Sequence, residues 1–571
     1  MMKARQIFAL ALAIFASLGA AASPSFVGPA IGRSTESPSR QQPTRSQTPA
    51  PSPAGAASQA TPRQSPLTEQ ERRGKTLYLR GESTAGPEVT AVMGEIEVPA
   101  STLSCAGCHG LRGEGKTEGG VTAGALTWSH LIKSYGHTHP TGRKHGPFDE
   151  SAVALAITSG TDPAGNQLLV AMPRYRMSAA QMADLISYLK RIEDDRDPGL
   201  TETAITVGMI VPARGALAET GQAVRAVTAA YFADLNKRGG LYSRRVELKV
   251  AETGDTPAAT AANLERLIDE GQVFALVNAF TAGADRQAVA VASRRGVPLV
   301  GALTLLTETG TPPDRHVFFL TPGVDVQARA LANFAARRLP DKGAATAVVH
   351  QRGSELAEAA ARAFAEQSRR AGRSAPAIVS YERERFDAAA TAAELKRAGA
   401  QAVLFVGAGD EGKFIAEAEK LGWFPHILLL GVMAGREVPA ASAGFRDKIF
   451  LSFPSIPTDV TTDGMNLFRA LAREHSLTDK HVAAQLSALA AAQTLTEGLK
   501  RAGRDLSREK LITSLEGLYE FNTGLTPPLT FGPNRRVGAD GAHVVAVDVE
   551  RRQYVPSVGW VSAEMAAPGK P

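Results

Sequence analysis

Hydrophobic and polar residues are distributed along this chain in four ways, and each predicts a different kind of structure. Residues 7–18 form a short apolar run behind Met1-Met2-Lys3-Ala4-Arg5 and ahead of Gly19-Ala20-Ala21-Ala22. Residues 23–66 are mostly Pro, Ser, Gln, Thr and Ala, with almost no large apolar side chain after Val27. Such a segment buries too little surface to offset its ordering entropy, so a mobile tether is predicted there. A helix is predicted after Ser178-Ala179-Ala180-Gln181, a capping box followed by Met182, Leu185, Ile186 and Leu189 at i, i+3, i+4 and i+7. Beyond Asp197-Pro198-Gly199 short apolar runs alternate with helical patterns. Strands are predicted at 205–211, 246–250, 274–277, 298–301, 345–350, 377–379, 402–406 and 427–430. Helices are predicted at 221–236 and at 257–269, the latter with proline at its tolerated first position. Repeated βα units imply parallel sheets covered on both faces, and this stretch is too long for one sheet, so two doubly wound lobes are expected.

Composition narrows the partners. A chain of 571 residues exceeds what one core organises, so two or more domains are expected. Hydrophobic residues at 44% and charged ones at 21% set it apart from disordered or fibrous proteins. The formal net charge of +6 is small, and no dense basic run is interleaved with aromatics, so nucleic acid is not an expected partner. The basic head, short apolar core and small-x-small site make residues 1–22 a secretory signal peptide cut after Ala22, which sends the chain to the periplasm. The rival is an uncleaved membrane anchor, for which the run falls short of the usual ~20 residues; only that case would tie the chain to a membrane. No Gly-x-Ser-x-Gly elbow, phosphate loop or zincin helix is present, so an electron carrier and ligand binder is expected rather than an enzyme.

The chain has two cysteines, both in Cys105-Ala106-Gly107-Cys108-His109. Two thiols one turn apart can each add to a porphyrin vinyl group, leaving the next residue's imidazole under the iron. The competing readings are a redox dithiol, which usually has a thioredoxin-like setting, and half a zinc site, which lacks its second Cys pair. The flanking residues resemble the class I cytochrome c family over 67–195, and the resemblance implies a helix before the motif at 67–79, ending in Gly74-Lys75-Thr76-Leu77-Tyr78. The resemblance implies a small all-α domain, one covalent haem c on Cys105 and Cys108, and His109 as iron ligand. It also makes Met172, in Ala171-Met172-Pro173-Arg174-Tyr175, the sixth ligand. An insertion at about 81–103 departs from the family. Met177 competes for the iron or acts as a hydrophobic staple, and His130, His137, His139 and His145 are further alternatives. His/Met ligation raises the reduction potential and points to electron transfer.

Residues 204–561 resemble the type I periplasmic substrate-binding proteins, in the branch that binds leucine, isoleucine and valine. The cues are Val207-Gly208-Met209-Ile210-Val211-Pro212-Ala213-Arg214-Gly215 and Asn236-Lys237-Arg238-Gly239-Gly240-Leu241. The resemblance implies an α/β fold of two lobes closing on a ligand, with chain crossings near 316–321 and 449–457 and a final hairpin-like return at 529–549. It places Thr281, Ala282 and Gly283, followed by Ala302 and Thr304, where the family grips a carboxylate. In the second lobe the family's cleft tyrosines are replaced by Arg352 and Gly409, and the acid that pairs with a ligand ammonium is replaced by Met433. Arg214 and Arg352 either favour an acidic ligand or point into water. Asp410 and Glu411 either supply a compensating acid or start a helix.

The expected function is a periplasmic cytochrome joined to a solute-binding module, for an amino-acid-like or organic-acid ligand and with a redox partner protein, a dehydrogenase or another cytochrome. Two alternatives stand beside it. One is the electron-accepting subunit of a periplasmic dehydrogenase with the lobes as docking scaffold. The other is a solute receptor for an ABC permease with an accessory haem.

Overall fold

The computed structural model describes residues 67–564 apart from 119, 140–141, 308–311, 340, 342–343, 408 and 436–437. The expected signal peptide and tether lie outside the described residues. The chain divides into two compact units, one ending at Arg196 and the other beginning at Asp197.

In the first unit, helix α1 (Glu69–Arg80) starts at a capping box between Thr68 and Glu71. The capping box read from Ser178 and Gln181 likewise starts a helix (Ala179–Leu189), numbered α4 below. These two helices cross at a glycine. A Cβ on Gly74 would sit 2.0 Å from the Asp184 carbonyl oxygen, so only a bare backbone permits the approach. Arg73 closes one side of the crossing with a bidentate pair to the Asp184 carboxylate at 2.7 and 2.8 Å, and the Tyr78 and Tyr188 rings lie 5.8 Å apart on the other. The short helix α2 (Cys105–His109) is tied to this pair by the Tyr78 hydroxyl, which donates to the Gly110 carbonyl at 2.7 Å. Helix α3 (Glu150–Thr158), capped by Asp149, completes the set used here. The core they share holds Leu77, Tyr78, Ala106, Leu131, Val153, Leu185 and Ile186.

The insertion at 81–103 forms an antiparallel hairpin, β1 (Thr90–Met93) and β2 (Ile96–Pro99). Strand β3 (Arg174–Arg176) adds to it, pairing Thr90 with Arg176, Ala91 with Tyr175 and Val92 with Arg174. The extra segment therefore adds a three-stranded sheet to a unit expected to be all helical, attached to the residues that follow Met172; two short strand pairs, Lys116–Glu118 with Val121–Ala123 and His137–Thr138 with Lys144–His145, lie in the same unit.

The second unit holds two sheets. The first lobe has five parallel strands: β4 (Ala204–Val211), β5 (Arg245–Glu252), β6 (Ala275–Val277), β7 (Leu299–Val300) and β8 (Val317–Phe318), in the order β8-β7-β6-β4-β5. The second has seven: β9 (Thr346–Gln351), β10 (Ala377–Tyr381), β11 (Ala402–Val406), β12 (His426–Leu430), β13 (Ile449–Phe453), β14 (Gly541–Asp548) and β15 (Gln553–Ser562), in the order β10-β9-β11-β12-β13-β14-β15. Its first five strands are parallel and its last two antiparallel. Seven of the eight positions of β4 and all five of β11 are buried, as strands covered on both faces must be.

Helices α5 (Ala218–Lys237), α6 (Pro257–Gly271) and α7 (Asp285–Arg295) serve the first lobe; α8 (Val324–Arg338), α9 (Glu355–Arg370), α10 (Ala388–Arg397) and α11 (Glu411–Lys420) serve the second. The chain then returns to the first lobe with α12 (Thr462–Glu474), α13 (Val482–Ala502) and α14 (Arg508–Glu516), whose Phe468, Leu489 and Leu511 join the core of β4 and α5. It goes back to the second lobe after Val537, which bridges to Phe319, and ends there in the β14–β15 hairpin.

Substituting Gly74 by leucine should overpack the α1–α4 crossing and cost about 1–3 kcal/mol. Amide hydrogen exchange in α4 should speed up roughly 5- to 150-fold. Unchanged protection there would show that the helices do not approach this closely.

Candidate haem site and ligand cleft

The two thiols of Cys105 and Cys108 share one helical turn and neither is in a disulfide. Cys105 borders the core of its unit, and burial pushes its thiol up to about 12; Cys108 is exposed. His109 is buried, and burial holds its imidazole below the ordinary histidine range, in the neutral form that can ligate iron. Its Nδ1 lies 2.7 Å from the Gly124 carbonyl oxygen. A carbonyl only accepts, so Nδ1 carries the proton and Nε2 keeps its lone pair.

Met172 is half-buried against the same core as Cys105, and so is Met177. The loop that carries Met172 is clamped by Arg174, whose guanidinium donates to the Met172 carbonyl and, at 3.0 Å, to the Leu168 carbonyl. Tyr175, buried in the core, donates to the Leu103 carbonyl at 2.5 Å and so joins this loop to the end of the insertion. Two thiols, a neutral oriented imidazole and a thioether on one core are the donor set a haem requires. Sequence reasoning missed Gly124, Arg174 and Tyr175; only the adjacency of the last two to Met172 could have drawn attention to them.

The histidines named as alternatives cluster together. Residues His137–Thr138 pair with Lys144–His145, the His139 and His145 Nε2 atoms are 2.9 Å apart, and the rings of His130 and His137 have centroids 4.4 Å apart. Among the described residues no group of three or more His, Cys, Asp or Glu side chains is arranged to hold a metal ion.

In the second unit the strand ends form a cleft of about 650 Å³, part of it open to solvent, whose lining includes Ala302, Thr304, Leu320, Ala484, Ser487 and Thr526. The loop after β7 reaches it because Gly301, at φ +69°, lies so close to α13 that a Cβ there would be 2.2 Å from that of Ala491. Asn278 ties the neighbouring strand end to the helices. It is fully buried at φ +53°, and its amide donates to the Thr228 hydroxyl and the Ala488 carbonyl, both at 2.9 Å.

The buried Thr281 hydroxyl donates to a protein carboxylate, that of Asp285, the first residue of α7, whereas the Thr304 hydroxyl accepts the Leu306 amide at 2.9 Å and donates to the Leu306 carbonyl at 3.3 Å. Ala282, at φ +54°, and Gly283 are exposed beside Thr281. Burial pushes the Asp285 carboxyl above its ordinary value. Sequence reasoning passed over Asp285, although an acid four residues after Thr281 was a visible signal. The next residue, Arg286, pairs with Glu355 at the start of α9, an ion pair from one lobe to the other.

The second-lobe candidates divide. Arg352 is exposed and its guanidinium donates to the Ser380 hydroxyl at 2.9 Å, while Arg214 is exposed with no hydrogen bond or ion pair among the described residues. Asp410 is buried and accepts from the Tyr381 hydroxyl at 3.2 Å and from Lys413 at 2.9 Å. Glu411 opens α11, fully buried, with its carboxylate taking the Gly409 and Gly435 amides and pushed up by burial. Met433 packs on the second-lobe core.

Comparison with known proteins agrees with this division. The family model described as cytochrome c matches residues 100–193, and that described as periplasmic binding protein matches 204–551. "Leu/Ile/Val-binding protein homolog 3" of Brucella melitensis is 29% identical over 218 residues, covering 37% of this chain and 56% of that protein. "Leu/Ile/Val-binding protein BraC3" of Rhizobium johnstonii is 27% identical over 161 residues, covering 27% of this chain and 41% of its own length. The chain thus spans about half the length of these curated relatives. A solved structure of a putative branched-chain amino acid ABC transporter from Rhodospirillum rubrum aligns over 62% of this chain and 100% of its own, with 15% identity and a TM-score of 0.50, and shares the two-lobed fold. No helix among the described residues is long and apolar enough to cross a membrane. A cytochrome c domain implies haem c, and with the longer match covering more than half of its residues, the chain belongs to the periplasmic binding protein family and carries a cytochrome c domain ahead of the binding fold.

Proposed function

We propose that this protein is an exported c-type cytochrome joined to a solute receptor, carrying electrons with its first unit and recognising a small molecule with its second. The observation that carries the first half is His109, buried, neutral and held by the Gly124 carbonyl next to a pair of unbridged thiols. In this reading Cys105 and Cys108 would hold one haem through two thioethers, and His109 and Met172 would ligate its iron. Haem, when bound, supplies a one-electron couple. The chain's own residues do the rest. The Gly124 carbonyl fixes the imidazole tautomer, Arg174 and β3 hold the methionine arm, and the core around Tyr78 and Leu185 keeps water away.

The second half rests on the cleft at the strand ends of a two-lobed fold, lined by Ala302 and Thr304, with Thr281, Ala282, Gly283 and Asp410 on the surrounding strand-end loops. Arg214 and Arg352 are both exposed, and neither is among the residues that line the cleft. Electron transfer and ligand binding are coupled or simply co-localised on one chain. A second reading, a receptor delivering its solute to an ABC permease with the haem as accessory, is favoured by the relatives named for leucine, isoleucine and valine binding. Both readings place the mature protein in the periplasm after removal of residues 1–22, with a redox protein as partner in the first.

Protein made in a host competent for cytochrome maturation should be coloured, and its mass should exceed the polypeptide by one haem; in Cys105→Ala/Cys108→Ala the added mass should disappear. Colourless protein of bare polypeptide mass would overturn the cytochrome assignment. Met172→Ala should keep the haem but lower its reduction potential, since a thioether ligand favours the reduced iron; an unaltered potential would pass the sixth position to Met177 or a histidine.

If binding and redox state are coupled, a ligand that binds one oxidation state tenfold more tightly must shift the potential by ~59 mV. Potentiometry with and without a ligand found by thermal shift reads this directly. Equal potentials would leave two independent modules.

A further inference from the structure

Among the described residues the cleft is lined by no charged side chain. Its wall is apolar, with Leu303, Leu305 and Leu320 on it, and its polar side chains are four hydroxyls, those of Thr304, Thr321, Ser487 and Thr526. Two of the four are already engaged: Thr304 with the Leu306 amide and carbonyl, and Thr526 with the Pro527 carbonyl at 3.1 Å. The Thr321 and Ser487 hydroxyls have no hydrogen-bond partner among the described residues. Ser487 lies one helical turn before Ala491, whose Cβ approaches Gly301, so the face of α13 that closes on the loop after β7 also presents this hydroxyl to the cleft. The ionic groups of the surrounding loops are engaged elsewhere. Asp285 accepts from Thr281, Asp410 from Tyr381 and Lys413, and Glu411 from the Gly409 and Gly435 amides, while Arg286 pairs with Glu355 and Arg352 donates to Ser380.

We infer that the cleft takes an uncharged aliphatic molecule whose polar group is a carbonyl or a hydroxyl, oriented by the Ser487 and Thr321 hydroxyls. A hydroxyl both donates and accepts, so this pair serves an amide, a ketone or an alcohol, and the leucine wall takes the hydrocarbon body. An α-amino acid would bring two full charges into the same space. Its ammonium needs an acid, but Met433 packs on the second-lobe core where the family resemblance expects one, and the acids nearby already have donors. A carboxylate needs a cation, and the lining offers only the amino end of α13, where Ala483 and Ala484 stand and the preceding His481 bonds the Thr220 hydroxyl instead of capping the helix. Such an end carries roughly half an elementary charge. A full charge is far more costly to take out of water than an amide or hydroxyl, and two neutral hydrogen bonds offset only the smaller cost. The inference departs from the amino-acid-like and organic-acid ligands expected from the sequence, and it rests on the proposal that the second unit binds a solute.

Four probes that share one carbon skeleton and differ in charge test it: 4-methylpentanamide, 4-methylpentanoate, 4-methylpentan-1-amine and L-leucine, titrated calorimetrically into the full haem-loaded protein. The amide should bind at least about tenfold more tightly than any of the charged three. Ser487→Ala and Thr321→Val should each weaken the amide about two- to tenfold, the loss expected for one neutral hydrogen bond. Wild-type protein that binds the carboxylate, the amine or leucine as tightly as the amide, or amide binding undiminished in both variants, overturns the inference and leaves the solute-receptor reading standing. Apolar burial makes the heat of binding change with temperature, so binding cannot be silent at two well-separated temperatures; no heat from any of the four at either one overturns both. The wild-type comparison decides the question even where a variant fails to fold.

Discussion

A parallel sheet covered by helices on both faces leaves only its strand ends open, and the arrangement of the second unit follows from that constraint. Strands β4, β6, β7, β9, β11 and β12 are buried almost throughout, so chemistry can reside only in the loops that leave them. Thr281 and Asp285 follow β6, Ala302 and Thr304 follow β7, Arg352 follows β9, Asp410 follows β11 and Met433 follows β12. The two lobes gather these loops because the chain passes between them after β8, after β13 and again after Val537. Each lobe is thereby built from segments far apart in sequence, and α12 to α14 complete a core begun some two hundred residues earlier by β4 and α5.

The same economy of position governs the first unit. Its helices meet where a side chain is missing, at Gly74, and the Arg73–Asp184 pair and the two tyrosines close the sides of that contact. Three polar side chains set inside the unit are oriented by backbone carbonyls: Tyr78 on Gly110, Tyr175 on Leu103, His109 on Gly124. In a low-dielectric surrounding such bonds are costly to leave unmade, so they specify geometry as well as adding stability.

Much of this could be read from residue order. The eight strand positions expected from apolar runs fall within a residue or two of β4 to β7 and β9 to β12; six of these strands are buried on both faces and so read as continuous apolar runs, while the edge strands β5 and β10 are mostly exposed or half-buried. The capping boxes at Thr68 and Ser178 are local by nature: each donor and acceptor lies within three residues. What stayed hidden depended on contacts between distant segments. The insertion at 81–103 has short strands and an exposed face, and its pairing partner lies beyond Met172. The Gly124 carbonyl is a backbone atom with no sequence signature. The two arginines left two readings open for a related reason: a formal charge is visible in sequence, whereas the exposure that dilutes it is not.

The hairpin that interrupts the cytochrome resemblance bears on how long a ligated state would last. In a plain loop the methionine arm swings away by rotating a few torsions, and another donor can take its place at the iron. Here the arm continues into a strand with three register partners and ends on a tyrosine anchored across the core, so release means peeling an edge strand off its neighbour. For Met172 in the proposed axial role, substitution by a foreign donor is therefore gated by local unfolding, and the unit should hold one coordination state through many turnovers and resist small exogenous ligands such as cyanide or imidazole.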